Sequence, residues 1–123
     1  MATISEIHGR DALLTAAARC WSAARGIGAA PQPRLHHLLA PSDCGVLAPV
    51  LDSLMRLLEA ALGRPFAAGG RSGMSGDERL LIALMNGSAK GRSCGNCPEG
   101  VARALDCAIC STRIMLGLAL ARG

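Results

Sequence analysis

The sequence predicts an all-α fold, a single domain of about four helices without a sheet. Half of the 123 residues are hydrophobic, and most of these are Leu, Ala, Val, Ile and Met. Strands favour aromatic and β-branched side chains, whereas this chain contains one Trp, one Phe and no Tyr. Apolar residues recur at helical spacing and show no convincing alternation. Because the chain is long enough to bury a core as one unit, we expect residues 1–123 to form one domain.

Helix one is predicted over about Arg10–Arg25. Residues at helical spacing would form its apolar face: Leu13, Ala17, Cys20, Trp21 and Ala24. Glycines follow at Gly26 and Gly28 and are predicted to end it. The connector after it, about residues 26–34, contains Pro31 and Pro33. We therefore expect extended backbone there, with at most one short turn before Ala40.

Helix two has the clearest pattern and is predicted over about Ala48–Leu62. Its early proline is tolerated because the first turn does not need that N–H group. A wide apolar stripe indicates the buried face. The residues predicted on the solvent side are Asp52, Arg56 and Glu59. Gly63 followed by Pro65 is a typical helix end.

Helix three follows a Gly-rich connector, about residues 63–74. Ser75 and Glu78 have the spacing of a capping box, in which the two side chains satisfy first-turn N–H groups reciprocally. The helix is predicted to stop at Asn86, before a second polar connector of about residues 87–96.

Helix four is predicted from Cys97-Pro98 to about Ala121. Proline suits a first turn, and the acidic Glu99 suits the helix dipole. Apolar residues cover much of its circumference. In so small a protein such a helix is either central to the fold or shared with a second copy. We therefore predict a homodimer formed through helix four.

Four of the six cysteines occur as two Cys-x-x-Cys pairs: Cys94, Cys97, Cys107 and Cys110. Two such pairs can provide the four thiolates of a tetrahedral zinc site, or less readily of an iron–sulfur cluster. If residues 98–106 are helical, the two pairs lie about 15 Å apart along the axis, too far for one ion. If they form a loop, the site can close. Local composition favours the helix.

Two further thiol hypotheses remain open at this point. Cys44 could join Cys94 and Cys97 in a mixed metal site, with His36 or His37 as the fourth ligand. Alternatively, Cys94 and Cys97 form a redox pair, because a helix N-terminus lowers the pKa of nearby thiols.

The chain offers few signs of other functions. The net charge is +4. However, Lys and Arg form no dense cluster and aromatic residues are few, so the sequence does not favour nucleic-acid binding. No signal peptide or apolar stretch of about 18 residues is apparent, so we expect a cytoplasmic protein without a membrane partner. Aspartates and glutamates are predicted at caps and polar faces, and no catalytic constellation is apparent.

Three function classes therefore remain. We predict a non-catalytic bacterial helical module acting through self-association or a partner, with no cofactor required. The first alternative is a thiolate metal-binding protein, with zinc favoured over iron–sulfur. The second is a thiol–disulfide redox protein that uses the Cys94/Cys97 pair.

Overall fold

Helices make up most of the structure, a computed structural model that describes residues 4–89 and 98–121, with side chains for residues 9–89 and 98–120. The α-helices are α1 (Ile4–Gly26), α2 (Pro31–Leu39), α3 (Leu47–Leu62), α4 (Gly76–Asn86) and α5 (Glu99–Ala121). Within these ranges no strand occurs, and the only β-type pairing is an isolated bridge between Gly70 and Gly73. The predicted all-α class is confirmed. No helix in the described part of the chain combines the length and apolar character needed to cross a membrane.

The predicted extended connector 26–34 is wrong from Pro31 onward, because α2 begins there. Ala30 is extended, with φ −70° and ψ 124°, and a proline occupies the first helical positions. Prolines fit there because the first turn leaves its N–H groups without intrahelical partners. Pro31, Leu35 and Leu39 are buried. Their spacing of four residues places them on one face of the helix, and α2 packs with this short apolar face against α1 and α3.

The ends of α3 and α4 confirm the predicted helix signals. Gly63 follows α3 with a left-handed φ of 71°, and Gly87 follows α4 with φ 84°. At the start of α4, the Glu78 N–H donates to Ser75 Oγ at 3.1 Å, and the Ser75 N–H donates to Glu78 Oε1 at 3.0 Å. This is the predicted capping box.

The centre of the fold is α3, which contacts α1, α2 and α5. The packing partners of α4 are α1 and α5. The core is mainly aliphatic, with Trp21 and Phe66 as its aromatic members. Its largest fully buried side chains include Trp21, Leu35, Leu54, Leu58, Leu84 and Leu105. This arrangement places α5 against the central helix, with its opposite side toward solvent.

Asp52 corrects a sequence prediction, because it lies in the core and not on the solvent side of α3. Asp52 is only 4% exposed. The carboxylate accepts hydrogen bonds from Trp21 Nε1 at 2.8 Å, Gln32 Nε2 at 2.9 Å and Arg56 Nε at 3.0 Å. Burial alone raises the pKa of Asp52, but these donors outweigh burial and the pKa is lowered. One carboxylate thus links α1, α2 and α3.

Two more carboxylates predicted at a helix cap are also buried, and they hold the loop between α3 and α4. Asp77 accepts from Arg64 Nη1 at 2.6 Å and from the Ala67 N–H at 2.8 Å. Glu78 accepts from Arg19 Nε of α1 at 2.8 Å. The loop passes so close to Glu78 that a Cβ on Gly69 would lie 2.5 Å from Glu78 Oε1. Only glycine fits there.

We expect Asp52→Ala to lower the free energy of unfolding by about 2–3 kcal/mol, because Trp21 Nε1 would be left buried without an acceptor. Asp52→Asn keeps an acceptor for Trp21 and should cost less. The measurement is urea unfolding followed by Trp21 fluorescence. The control is Glu99→Gln, an exposed acidic residue on α5, which should change stability by less than about 0.5 kcal/mol. Equal effects of Asp52→Ala and the control would contradict the network.

We also expect a stability loss in acid that depends on Glu78. The hydrogen bond from Arg19 is the largest of the causes that lower the pKa of Glu78 from 4.5 to about 2. A carboxyl whose folded pKa is depressed stabilises the fold above its unfolded pKa, and loses that contribution as pH falls toward the folded pKa. Stability should therefore fall between about pH 4.5 and pH 2, by on the order of 3 kcal/mol from this group.

The measurement is the denaturation midpoint as a function of pH. Glu78→Gln should lower stability near neutral pH and flatten the acid slope, whereas Glu99→Gln should leave the slope unchanged. The same slope in Glu78→Gln and the wild type would show that another group causes the acid loss.

Candidate functional site on the last helix

One side of α5, which we call its inner face, is apolar because it packs against the rest of the fold. Its buried residues recur at alternating intervals of three and four: Ala102, Leu105, Ile109, Thr112, Leu116 and Ala119. This is the spacing of a helix seam, and it packs mainly against α3. The buried Thr112 hydroxyl donates to the Ala108 carbonyl within the same helix at 2.6 Å. The inner face is therefore complete in its packing and its polar contacts.

A second row of residues runs along the opposite side of α5. We call it the outer face of α5, and it comprises Arg103, Cys107, Cys110, Ile114, Gly117 and Leu118, all exposed. Ile114 is 59% exposed and Leu118 is 61% exposed. They lie four residues apart, so they are neighbours on the helix surface. The outer face thus combines two large aliphatic side chains with two cysteines.

Both cysteines of this face are free thiols open to solvent. They lie three residues apart on a continuous helix, where Cβ atoms are about 5–6 Å apart. A disulfide needs Cβ atoms about 3.5–4.5 Å apart. Regular helix geometry therefore keeps Cys107 and Cys110 as an open pair of thiols that point to the same side.

A groove lies beside Cys110, between the end of α4 and the flank of α5. On the α4 side it is lined by Leu84, Gly87 and Ala89, and on the α5 side by Asp106, Ile109, Cys110 and Arg113. The Arg113 guanidinium lies over the end of α4, where a Cβ on Gly87 would be 3.7 Å from Nη2. A cation at a helix C-terminus is favourable. The flank of the outer face therefore carries one acid and one base.

The structure places the other predicted thiol residues apart from this face or does not describe them. Cys94 and Cys97 lie outside the described residues. Cys44 is buried in the core, and its Sγ donates to the Ser42 carbonyl at 3.3 Å. Cys20 is half-buried and packs against the core. Burial raises the pKa of the Cys20 thiol, an effect that Arg34 partly offsets.

The stretch between the two cysteine pairs, residues 98–106, is helical from Glu99 onward. The helix α5 begins at Glu99, and the Ala102 N–H donates to the Pro98 carbonyl at 3.0 Å. The predicted helix over this stretch is therefore present. In the described ranges, His, Cys, Asp and Glu side chains form no group of three or more that could hold a metal ion.

His36 and His37 lie on α2 and are exposed. The His36 ring covers Gly45, since a Cβ there would lie 2.8 Å from His36 Nε2. His36, one of the two residues predicted as the fourth ligand of a mixed metal site, therefore packs against Gly45.

The burial of three carboxylates, those of Asp52, Asp77 and Glu78, is not predicted by the sequence pattern. Each accepts at least two hydrogen bonds from its own chain. The hydrogen bond from Arg64 is the main reason that the pKa of Asp77 is lowered. Such groups are held ionised by fixed partners, as in structural ion pairs.

Comparison with known proteins found no matching family model, and no match of significance among curated proteins or solved structures.

We expect the four described cysteines to react with iodoacetamide in the order of their exposure. Cys107 and Cys110 should be alkylated fastest, Cys20 more slowly, and Cys44 at least about 100-fold more slowly, because its labelling requires opening of the core. The measurement is peptide mass mapping after timed alkylation. In denaturant all cysteines should react alike, which is the control for intrinsic reactivity. Fast native labelling of Cys44 would contradict its burial.

Proposed function

We propose that the protein is a non-catalytic self-association module, and that the outer face of α5 binds the same face of a second copy. The two helices run antiparallel about a two-fold axis. In such a dimer both subunits present the same patch, so the patch must be complementary to itself. The observation that carries this proposal is the row of exposed aliphatic residues on α5, flanked by charges with self-complementary signs.

The aliphatic residues supply the attraction. Ile114 and Leu118 are more than half exposed, although the inner face of the same helix is fully packed. Removing an aliphatic side chain from water contributes on the order of 1–2 kcal/mol when it starts partly exposed. A second copy of α5 would bury both residues on each subunit at once.

The flanking charges favour an antiparallel pair. Asp106 and Arg113 line the same groove on one flank of α5, and seven residues place them about 10.5 Å apart. If Asp106 faces Arg113 of the second copy, two-fold symmetry makes Arg113 face Asp106 of the second copy. Both contacts then join opposite charges. The crossing point lies between Ile109 and Cys110.

Gly117 leaves room on the outer face of α5 for a second copy. A Cβ at this position would meet nothing within 4 Å in its own chain, so the fold itself does not require glycine. Glycine inside a helix costs about 1 kcal/mol relative to alanine. Gly117 lies about 11 Å along the helix from the crossing point, where its missing side chain leaves room for side chains of the second copy.

Size limits the strength of this contact. A standard interface buries about 800 Å² per partner, roughly a tenth of the 7029 Å² surface of this chain. One helix face of about 22 Å, from Arg103 to Leu118, provides only part of that area. We therefore expect a weak dimer that forms with increasing concentration.

The alternatives from the sequence stay predictions. Zinc or iron–sulfur binding by Cys94, Cys97, Cys107 and Cys110, and redox cycling of Cys94 with Cys97, both involve residues outside the described ranges. The buried carboxylates support the non-catalytic interpretation, because their oxygens are engaged by arginine, amide and indole donors of the same chain.

The decisive experiment exchanges the flanking charges in trans. Asp106→Arg alone and Arg113→Asp alone should each weaken self-association by about tenfold, because each creates two like-charge contacts per dimer. An equimolar mixture of the two variants should restore association, because every contact then joins opposite charges. The measurement is sedimentation velocity over a concentration series under reducing conditions.

Leu118→Glu should also weaken the dimer, whereas Val46→Glu should leave it unchanged. Val46 is a matched control because it is an aliphatic residue that is 55% exposed but lies outside α5. A wild-type chain that stays monomeric at all concentrations, or single-charge variants that associate as the wild type does, would refute the proposal.

A further inference from the structure

We propose that Cys107 and Cys110 of two copies together form a four-thiolate zinc site at the centre of the antiparallel α5 pair. This inference rests on the self-association proposed above and adds to it a metal and the residues that bind it. It differs from the site expected from the sequence, because no residue before α5 takes part.

One copy of the chain holds only half of such a site. Structural zinc takes four ligands in a tetrahedron. In the described part of one chain, no group of three or more metal-binding side chains comes together, and the thiols of Cys107 and Cys110 are free and exposed. A second copy brings two more thiols of the same kind, so the set is complete only in a dimer.

The position of the thiols fits the two-fold axis that the charges define. The midpoint of Asp106 and Arg113 lies between residues 109 and 110, whereas the midpoint of Cys107 and Cys110 lies between residues 108 and 109. The two midpoints therefore differ by one residue, about 1.5 Å along the helix. An antiparallel pair that matches the charges thus brings both thiol pairs to its centre.

The spacing within one thiol pair suits a metal better than a disulfide. Cβ atoms three residues apart on a helix are about 5–6 Å apart, beyond the range of about 3.5–4.5 Å for a disulfide. A zinc ion between two sulfurs adds two bonds of about 2.3 Å each. It can therefore join both thiolates without breaking the helix.

Nearby cations would balance the charge of the site. Each Zn²⁺ ion replaces the protons of four thiols, which leave to solvent, so the bound group carries a net charge of −2. Arg103 precedes Cys107 by one helical turn, and Arg113 follows Cys110 by three residues. In one chain Arg103 pairs with Glu99 at 3.6 Å and Arg113 lies over the end of α4. Two copies thus carry four arginines within about one helical turn of the thiols in sequence, and positive charge near thiolates is favourable.

The metal also addresses the small contact area. A helix face of this length gives only a weak dimer, and metal binding that requires the dimer stabilises it by mass action. We therefore expect zinc to convert a weak association into a firm one.

The test uses the full chain carrying Cys94→Ser and Cys97→Ser, so that the other cysteine pair cannot bind zinc. We expect one zinc per two chains, measured by elemental analysis after gel filtration. Zinc should tighten dimerisation by at least about 100-fold in sedimentation velocity. Replacing zinc with Co²⁺ should give the absorption of a tetrahedral four-thiolate site.

Matched variants locate the ligands. Cys107→Ser and Cys110→Ser should each abolish the zinc-dependent dimer, whereas Cys20→Ser should preserve it. The double variant Glu99→Cys with Cys107→Ser keeps two exposed thiols, but separates them by about 16 Å along the helix. It should lose the effect as well. Retention in any of these three ligand variants would overturn the site.

The outcomes separate this inference from the proposal on which it rests. Charge-exchange behaviour as expected, but without bound zinc or without any effect of zinc on the dimer, would leave self-association standing and refute the metal site. One zinc per monomeric chain would likewise refute it. A chain that remains monomeric with and without zinc would refute both.

Discussion

The fold depends on a carboxylate, that of Asp52, buried where a charge is energetically unfavourable. Asp52 lies in an aliphatic core, and an isolated carboxylate there would destabilise the protein by several kcal/mol. It is tolerated because Trp21, Gln32 and Arg56 direct donors at it from α1, α2 and α3. The contact therefore fixes how three helices meet, since sliding any one of them removes a donor from a buried charge. The contact thus orients α3 relative to α1 and α2, and α5 packs against α3.

Whether a feature could be predicted from the sequence depends on how far along the chain its stabilising partners lie. The capping box at Ser75, the end of α3 at Gly63 and the helix beginning after Pro98 are set by neighbouring residues, and all three are present. Asp52 could not be placed, because its burial is made possible by an indole 31 residues away in the sequence. A weak signal did exist: Asp52 lies three residues before the buried Met55 and four after the buried Ala48. Similarly, α2 was missed because two prolines resemble a break unless they fall in a first turn.

The candidate site shows a comparable division. The amino-acid pattern indicated that the last helix is apolar on much of its circumference, and the structure divides that property into a packed inner face and an open outer face. Helical spacing separates the two sides of α5, but which exposed aliphatic residues stay uncovered depends on where α3 lies, and neighbouring residues do not determine that. The exposed positions of Cys107 and Cys110 follow from the same division. Cys94 and Cys97 lie outside the described residues.

The ion pair between Arg19 and Glu78 joins the first helix to the fourth across 59 residues of sequence. Glu78 is almost wholly enclosed, and Arg19 is its cationic partner in that enclosure. A fragment that starts after α1 would keep the acid and lose the base, leaving an uncompensated charge beneath the glycine loop. We therefore expect the C-terminal helices to be less stable alone than in the whole chain. Dissecting the chain into smaller pieces for separate study would yield a fragment that lacks both the Trp21 contact and this pair.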